Sequence, residues 1–132
     1  MKIIPILFIS FSAYGLIYKP NQDMTPGSLC SKEDKDFKEV RYNEQIPVCK
    51  RNVSPSLKDK IYAKYQVKPE ERDQYTIDHK ISLFVGGSNK EDNLWPQPKV
   101  ISSFLLEQQV FFLLNKDIIT QKEALDLILS IK

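Results

Sequence analysis

The chain has 132 residues, 42% apolar and 27% charged, with a formal net charge of +2. That is one domain's length, too apolar for intrinsic disorder and too short for a TIM barrel or a complete dinucleotide-binding enzyme. Four glycines form neither common phosphate loop, one histidine with two cysteines excludes a Cys/His-rich zinc site, and there is no Gly-x-Ser-x-Gly elbow. With charge so nearly balanced, a nucleic-acid partner would require the basic residues to be segregated onto one face.

Met1-Lys2 precedes the apolar run Ile3–Ala13, the pattern of a secretory signal peptide. Ala13 and Gly15 place small residues for cleavage before Leu16, giving a signal over residues 1–15. The alternative is an uncleaved anchor, but the apolar stretch reaches Tyr18 at most, short of the ~20 residues a span needs. A secreted or periplasmic protein is expected, free of the membrane after cleavage. In such a compartment Cys30 and Cys49, the only two cysteines, read as a disulfide. Residues 16–29, with two prolines and a glycine, read as an extended arm ahead of a domain over 30–132.

Residues 31–45 are densely charged and read as a surface loop with a short strand near Val40–Tyr42. Ser54-Pro55 starts a helix over 55–65, with Leu57, Ile61, Tyr62 and Tyr65 on its apolar face. Tyr75–Phe84 reads as a strand, with Ile77, Ile81 and Leu83 on one side and Asp78 and Lys80 on the other. Gly86-Gly87-Ser88-Asn89 is a turn, and Asn93–Pro98 is extended because residues before proline avoid the helical region. A helix from about Ile101 to Leu114 offers Phe104, Leu105, Phe111 and Phe112 to a core. Thr120 and Glu123 form a capping box for a last helix with the stripe Ala124, Leu127, Ile128 and Ile131. The expected class is α+β.

The lone histidine follows an aspartate, ahead of the Gly-Gly turn and an Asn-Leu-Trp-Pro segment. Asp78–Asn89 followed by Asn93–Pro98 resembles the small secreted HNH endonucleases. The match is centred on residues 75–98. It extends more weakly to Thr25-Pro26-Gly27, Cys30, Cys49, Arg51–Ser54, Glu107 and residues 117–128. The resemblance implies a ββα-metal core, a β-hairpin packed on one helix around a divalent ion. It assigns His79 as general base, Asp78 as metal ligand and Asn93, in the catalytic set, as the residue pinning the loop behind the histidine. Gly86 and Gly87 would shape that loop, and Trp95 and Pro96 would fill the core beneath it.

The chemistry can be argued independently. A neutral imidazole suits base catalysis near pH 7, and a hard divalent ion takes oxygen ligands such as Asp78. Adjacent strand residues point to opposite faces, so Asp78 and His79 serve one site only if the strand bends or ends there. The family's second metal ligand is replaced here by Ile101, Ser102 and Ser103. Asn93, Ser103, Glu107 or waters are left to complete the sphere, with Glu107 the chosen candidate. Lys50, Lys58, Lys60 and Lys64, together with Arg51, Lys80, Lys90 and Lys99, offer a phosphate-tracking surface or, alternatively, a solvated face. The last four are the expected nucleic-acid contacts. The expectation is thus a monomeric, exported endonuclease using Mg²⁺ or Mn²⁺ on nucleic acid, DNA before RNA, with little base readout. The rival is a non-catalytic secreted binding module on a degenerate HNH scaffold.

Overall fold

Residues 17–132 are described in a computed structural model of the chain; the signal segment expected over 1–15 lies outside the described residues. In chain order the elements are β1 (Phe37–Arg41), β2 (Ile46–Cys49), α1 (Pro55–Lys64), β3 (Tyr75–His79), β4 (Leu94–Pro98), α2 (Phe104–Asn115) and α3 (Gln121–Ile131). Short 3₁₀ turns occupy Pro69–Gln74, Leu83–Val85 and Glu91–Asn93. β1 pairs antiparallel with β2, and β3 with β4, as two separate two-stranded sheets. The class is α+β.

In the first hairpin the short strand expected near Val40–Tyr42 lies at Phe37–Arg41 and pairs with β2, so part of the loop expected over 31–45 is strand. The hairpin's turn is closed by Tyr42 and Gln45 at φ of 66° and 61°, a conformation usually given to glycine or asparagine. No glycine marks that turn. The signal that was available is the alternation of Ile46 and Val48, both buried.

α1 begins as its sequence dictates. The Ser54 hydroxyl accepts from the Leu57 N–H at 3.1 Å, and Pro55 sits in the first turn. Its buried residues, Ile61 and Tyr62, join Val67, Tyr75, Ile77 and Leu94 in one core cluster. A second cluster unites Ile46, Val48, Ile81, Val85, Val110, Leu114, Ala124 and Ile128. Ile77 belongs to the first and Ile81 to the second, so the chain from Asp78 to Lys80 crosses between two cores.

β3 is shorter than the expected Tyr75–Phe84 strand and ends at His79, which pairs with Leu94. One backbone bond follows, from the Lys80 N–H to the Asn93 carbonyl at 2.8 Å, and at Ile81 the backbone partner is replaced by a side chain. Asn93 Oδ1 accepts from the Ile81 N–H at 2.9 Å, and Asn93 Nδ2 donates to the Ile81 carbonyl at 3.0 Å. Leu83 consequently enters a 3₁₀ turn instead of continuing a strand face.

α2 starts at Phe104, not Ile101, and turns a narrow face inward. Ser103, Val110 and Leu114 are buried, with Glu107 half-buried on the same stripe. The aromatic residues expected in its core lie elsewhere on the helix. Phe104, Leu105 and Phe112 are 61%, 73% and 56% exposed, and Phe111 is exposed too. The capping box of α3 forms as expected, with Thr120 accepting from Glu123 N–H. Its inward stripe is Ala124 and Ile128, with Ile131 packed half-buried against the same core, and Leu127 is exposed.

The arm is tied down over its described part. The Tyr65 hydroxyl lies 2.5 Å from Thr25 Oγ1 and accepts from the Asn21 N–H at 2.9 Å, and Leu29 bridges to Gly87. Cys30 and Cys49 are joined in a disulfide, Cα–Cα 5.8 Å, fastening the arm's end to β2.

Candidate active site

His79 closes β3 and is 2% exposed. Its Nε2 lies 3.0 Å from Asn89 Oδ1. The Asn89 amide is oriented by its other partners. Nδ2 donates to Asp36 Oδ2 at 3.1 Å and to the Lys50 carbonyl at 2.7 Å, both of which can only accept. Asn89 Oδ1 therefore faces the ring, and the imidazole proton resides on Nε2. Nδ1, with its lone pair, is buried and has no hydrogen-bond partner among the described residues. Burial is the main force holding the His79 pKa below 6.5; the Asn89 bond opposes it, and the Arg51 and Lys132 charges lower it further while Asp78 raises it. The ring is neutral at pH 7, with a basic nitrogen free.

The loop behind the histidine is shaped by backbone necessity. Gly86 has φ +97°, and a Cβ on Gly87 would lie 1.8 Å from the Ile81 carbonyl oxygen. Asn93, fully buried, reaches back to the Ser88 carbonyl at 2.8 Å as well as to Ile81. All three of its side-chain bonds go to the backbone of the loop, to Ile81 and Ser88. Trp95 and Pro96 are fully buried in β4.

Asp78 and His79 are the last two residues of β3, and their side chains meet different neighbours, Lys132 and Asn89. Asp78 Oδ2 is buried and takes no hydrogen bond from the described residues. Its close neighbour is the Lys132 ammonium at 3.1 Å, which also lies 3.5 Å from Glu107 Oε1. Lys132 Nζ donates to the His79 carbonyl at 2.6 Å and lies 3.5 Å from the Ser82 hydroxyl. Glu107 in turn accepts from the Ser82 and Ser103 hydroxyls. Two carboxylates, a carbonyl and a hydroxyl thus converge on one positive charge. An all-oxygen set of this kind, with one carboxylate oxygen lacking a hydrogen bond, fits a hard divalent cation. Asp78 and Glu107 are the residues that would hold it. A second group of metal-type side chains, Cys30, Asp34 and Cys49, has both sulfurs committed to the disulfide and offers no thiolate.

The basic residues divide. Arg51 is exposed, and its charge reaches His79. Lys99 is exposed on a groove of about 280 Å³ shared with Asp78, Ser103 and Glu107. Lys90 is exposed beside Asn52 and Asn89. Lys80 corrects the expectation of a phosphate contact. It is 6% exposed, and its ammonium donates to Gln22 Oε1 at 2.9 Å and to the Thr25 and Pro26 carbonyls at 3.0 and 3.3 Å. Its charge is consumed in pinning the arm. Lys60 and Lys64 pair with Glu91.

Sequence reasoning missed Asn89, Asp36, Ser82 and Lys132. Asn89 stood in the turn signal as a loop residue, and only its side-chain partners reveal its hold on the imidazole. No protein-family model, curated protein or solved structure matches the chain.

Proposed function

We propose that this chain is an exported, metal-dependent endonuclease of the HNH type, hydrolysing phosphodiester bonds with little sequence preference. The observation that carries the reading is His79 held as the Nε2–H tautomer, with Nδ1 unpartnered among the described residues and the ring within reach of the Asp78 and Lys132 charges, while Lys132 ties the His79 carbonyl to Asp78 and Glu107. In this reading His79 Nδ1 takes a proton from water as the water oxygen bonds to phosphorus. The bond from phosphorus to the leaving oxygen breaks, and that oxygen takes its proton from solvent. Asn89 keeps the imidazole in the reactive tautomer, and Asn93 holds the loop that supplies Asn89. Arg51 and Lys99 approach the phosphate backbone, which fixes position and not sequence. A bound Mg²⁺ or Mn²⁺ would supply charge neutralisation at the phosphate and the leaving oxygen.

Export is supported by the disulfide, which belongs to an oxidising compartment, and by the leader read from the sequence. Among the described residues no helix is long and apolar enough to cross a membrane. The second reading, a binding module without catalysis, is favoured by one observation: an ammonium already lies among the oxygens that would hold the metal. Supercoiled plasmid incubated with the protein and Mg²⁺ separates the two. Nicking that EDTA stops and added Mg²⁺ restores is the expected outcome. Intact plasmid at high protein concentration would favour the binding module, and nicking undiminished by EDTA would end the metal mechanism.

A further inference from the structure

We infer that Lys132 is a built-in counter-cation for the Asp78–Glu107 pair, and that a divalent ion enters only by displacing it. The inference rests on the reading of that pair as a metal site and names how the site is regulated. The Lys132 side chain is 2% exposed, although it stands at the end of α3. Lysine is a strongly hydrated point charge that ordinarily keeps its head in water. Burial here is tolerable because the ammonium meets oxygens from β3, from the turn after it and from α2: Asp78 Oδ2 at 3.1 Å, the His79 carbonyl at 2.6 Å, the Ser82 hydroxyl at 3.5 Å and Glu107 Oε1 at 3.5 Å. These are the same oxygens a divalent ion would need. One ammonium against two carboxylates leaves an uncompensated negative charge, so the pair still attracts a doubly charged ion. Ammonium and metal cannot share the space. Four methylenes on the last turn of a helix allow the lysine head to leave for solvent. The consequence is a site of weakened metal affinity that loads only when divalent ion is abundant, with Lys132 closing it otherwise.

The test uses the full chain and Mn²⁺ as probe, its binding read from the paramagnetic resonance of the free ion. Folded Lys132→Met protein should bind Mn²⁺ about tenfold more tightly than the unmodified chain, a coupling of ordinary allosteric size. Asp78→Asn should bind it more weakly than the unmodified chain. Equal affinity in the unmodified and Lys132→Met proteins, lost in Asp78→Asn, would overturn the displacement while leaving the metal site standing. Absence of Mn²⁺ binding from both would overturn the site and the inference together. A measurement on the unmodified protein needs no variant: acylation of lysines followed by mass spectrometry. Lys132 should be protected without Mn²⁺ and labelled at saturating Mn²⁺. Protection that persists with Mn²⁺ bound would overturn the inference.

Discussion

His79 is a titratable group in a place that disfavours its charged form. It is 2% exposed, and its pKa lies below 6.5 chiefly through burial. The groups acting on it are Asn89, Arg51, Asp78 and Lys132. Because the folded pKa is depressed, the unfolded chain takes up the proton first as pH falls. The stability contributed by the neutral ring is therefore complete above 6.5 and is lost as pH drops through the folded pKa. Urea unfolding at pH 7 and pH 5 should show a larger loss for the unmodified protein than for His79→Gln. The comparison matters because Glu91, with pKa lowered mainly by its Lys60 partner, loses stability on acidification in both. Equal losses in the two proteins would show that His79 is not the group responsible.

Elements whose signals are local were legible in the sequence. The caps Ser54 and Thr120 act within three residues of themselves, and both helices begin where those residues stand. What failed depended on distant partners. β3 stops because the Asn93 side chain takes the Ile81 backbone, twelve residues away. The β1–β2 hairpin turns without glycine, so only a short strand near Val40–Tyr42 was legible there and its pairing with β2 was not. The aromatic residues of α2 gave no sign that the helix would bury one stripe only. Asp78 and His79 were readable as a pair; the amide that sets the imidazole tautomer was not. The disulfide was readable from compartment and count. It closes a loop between residues 19 apart in sequence, for which chain entropy gives about 3 kcal/mol. The double variant Cys30→Ser, Cys49→Ser should lose that order of stability in denaturant unfolding under oxidising conditions. An unchanged midpoint would mean the unfolded chain is not constrained as this account requires.

At the scale of the whole molecule the site lies where the chain leaves one core cluster for the other. Ile77 anchors one side and Ile81 the other, with Asp78, His79 and Lys80 between them. Each of the three has a separate task. Lys80 holds the arm, Asp78 faces Lys132, and His79 presents its ring to Asn89. Packing on both sides fixes the positions of these three residues. Among the described residues the arm, the two sheets and the three helices pack around these side chains. In the proposed function His79 is the base in phosphodiester hydrolysis. The most direct measurement is the plasmid-nicking rate of His79→Ala in saturating Mg²⁺, per folded molecule as judged by circular dichroism. A fall of about 10²–10⁴-fold is predicted, the range for loss of a general base. A folded His79→Ala protein that nicks at the unmodified rate would contradict the account.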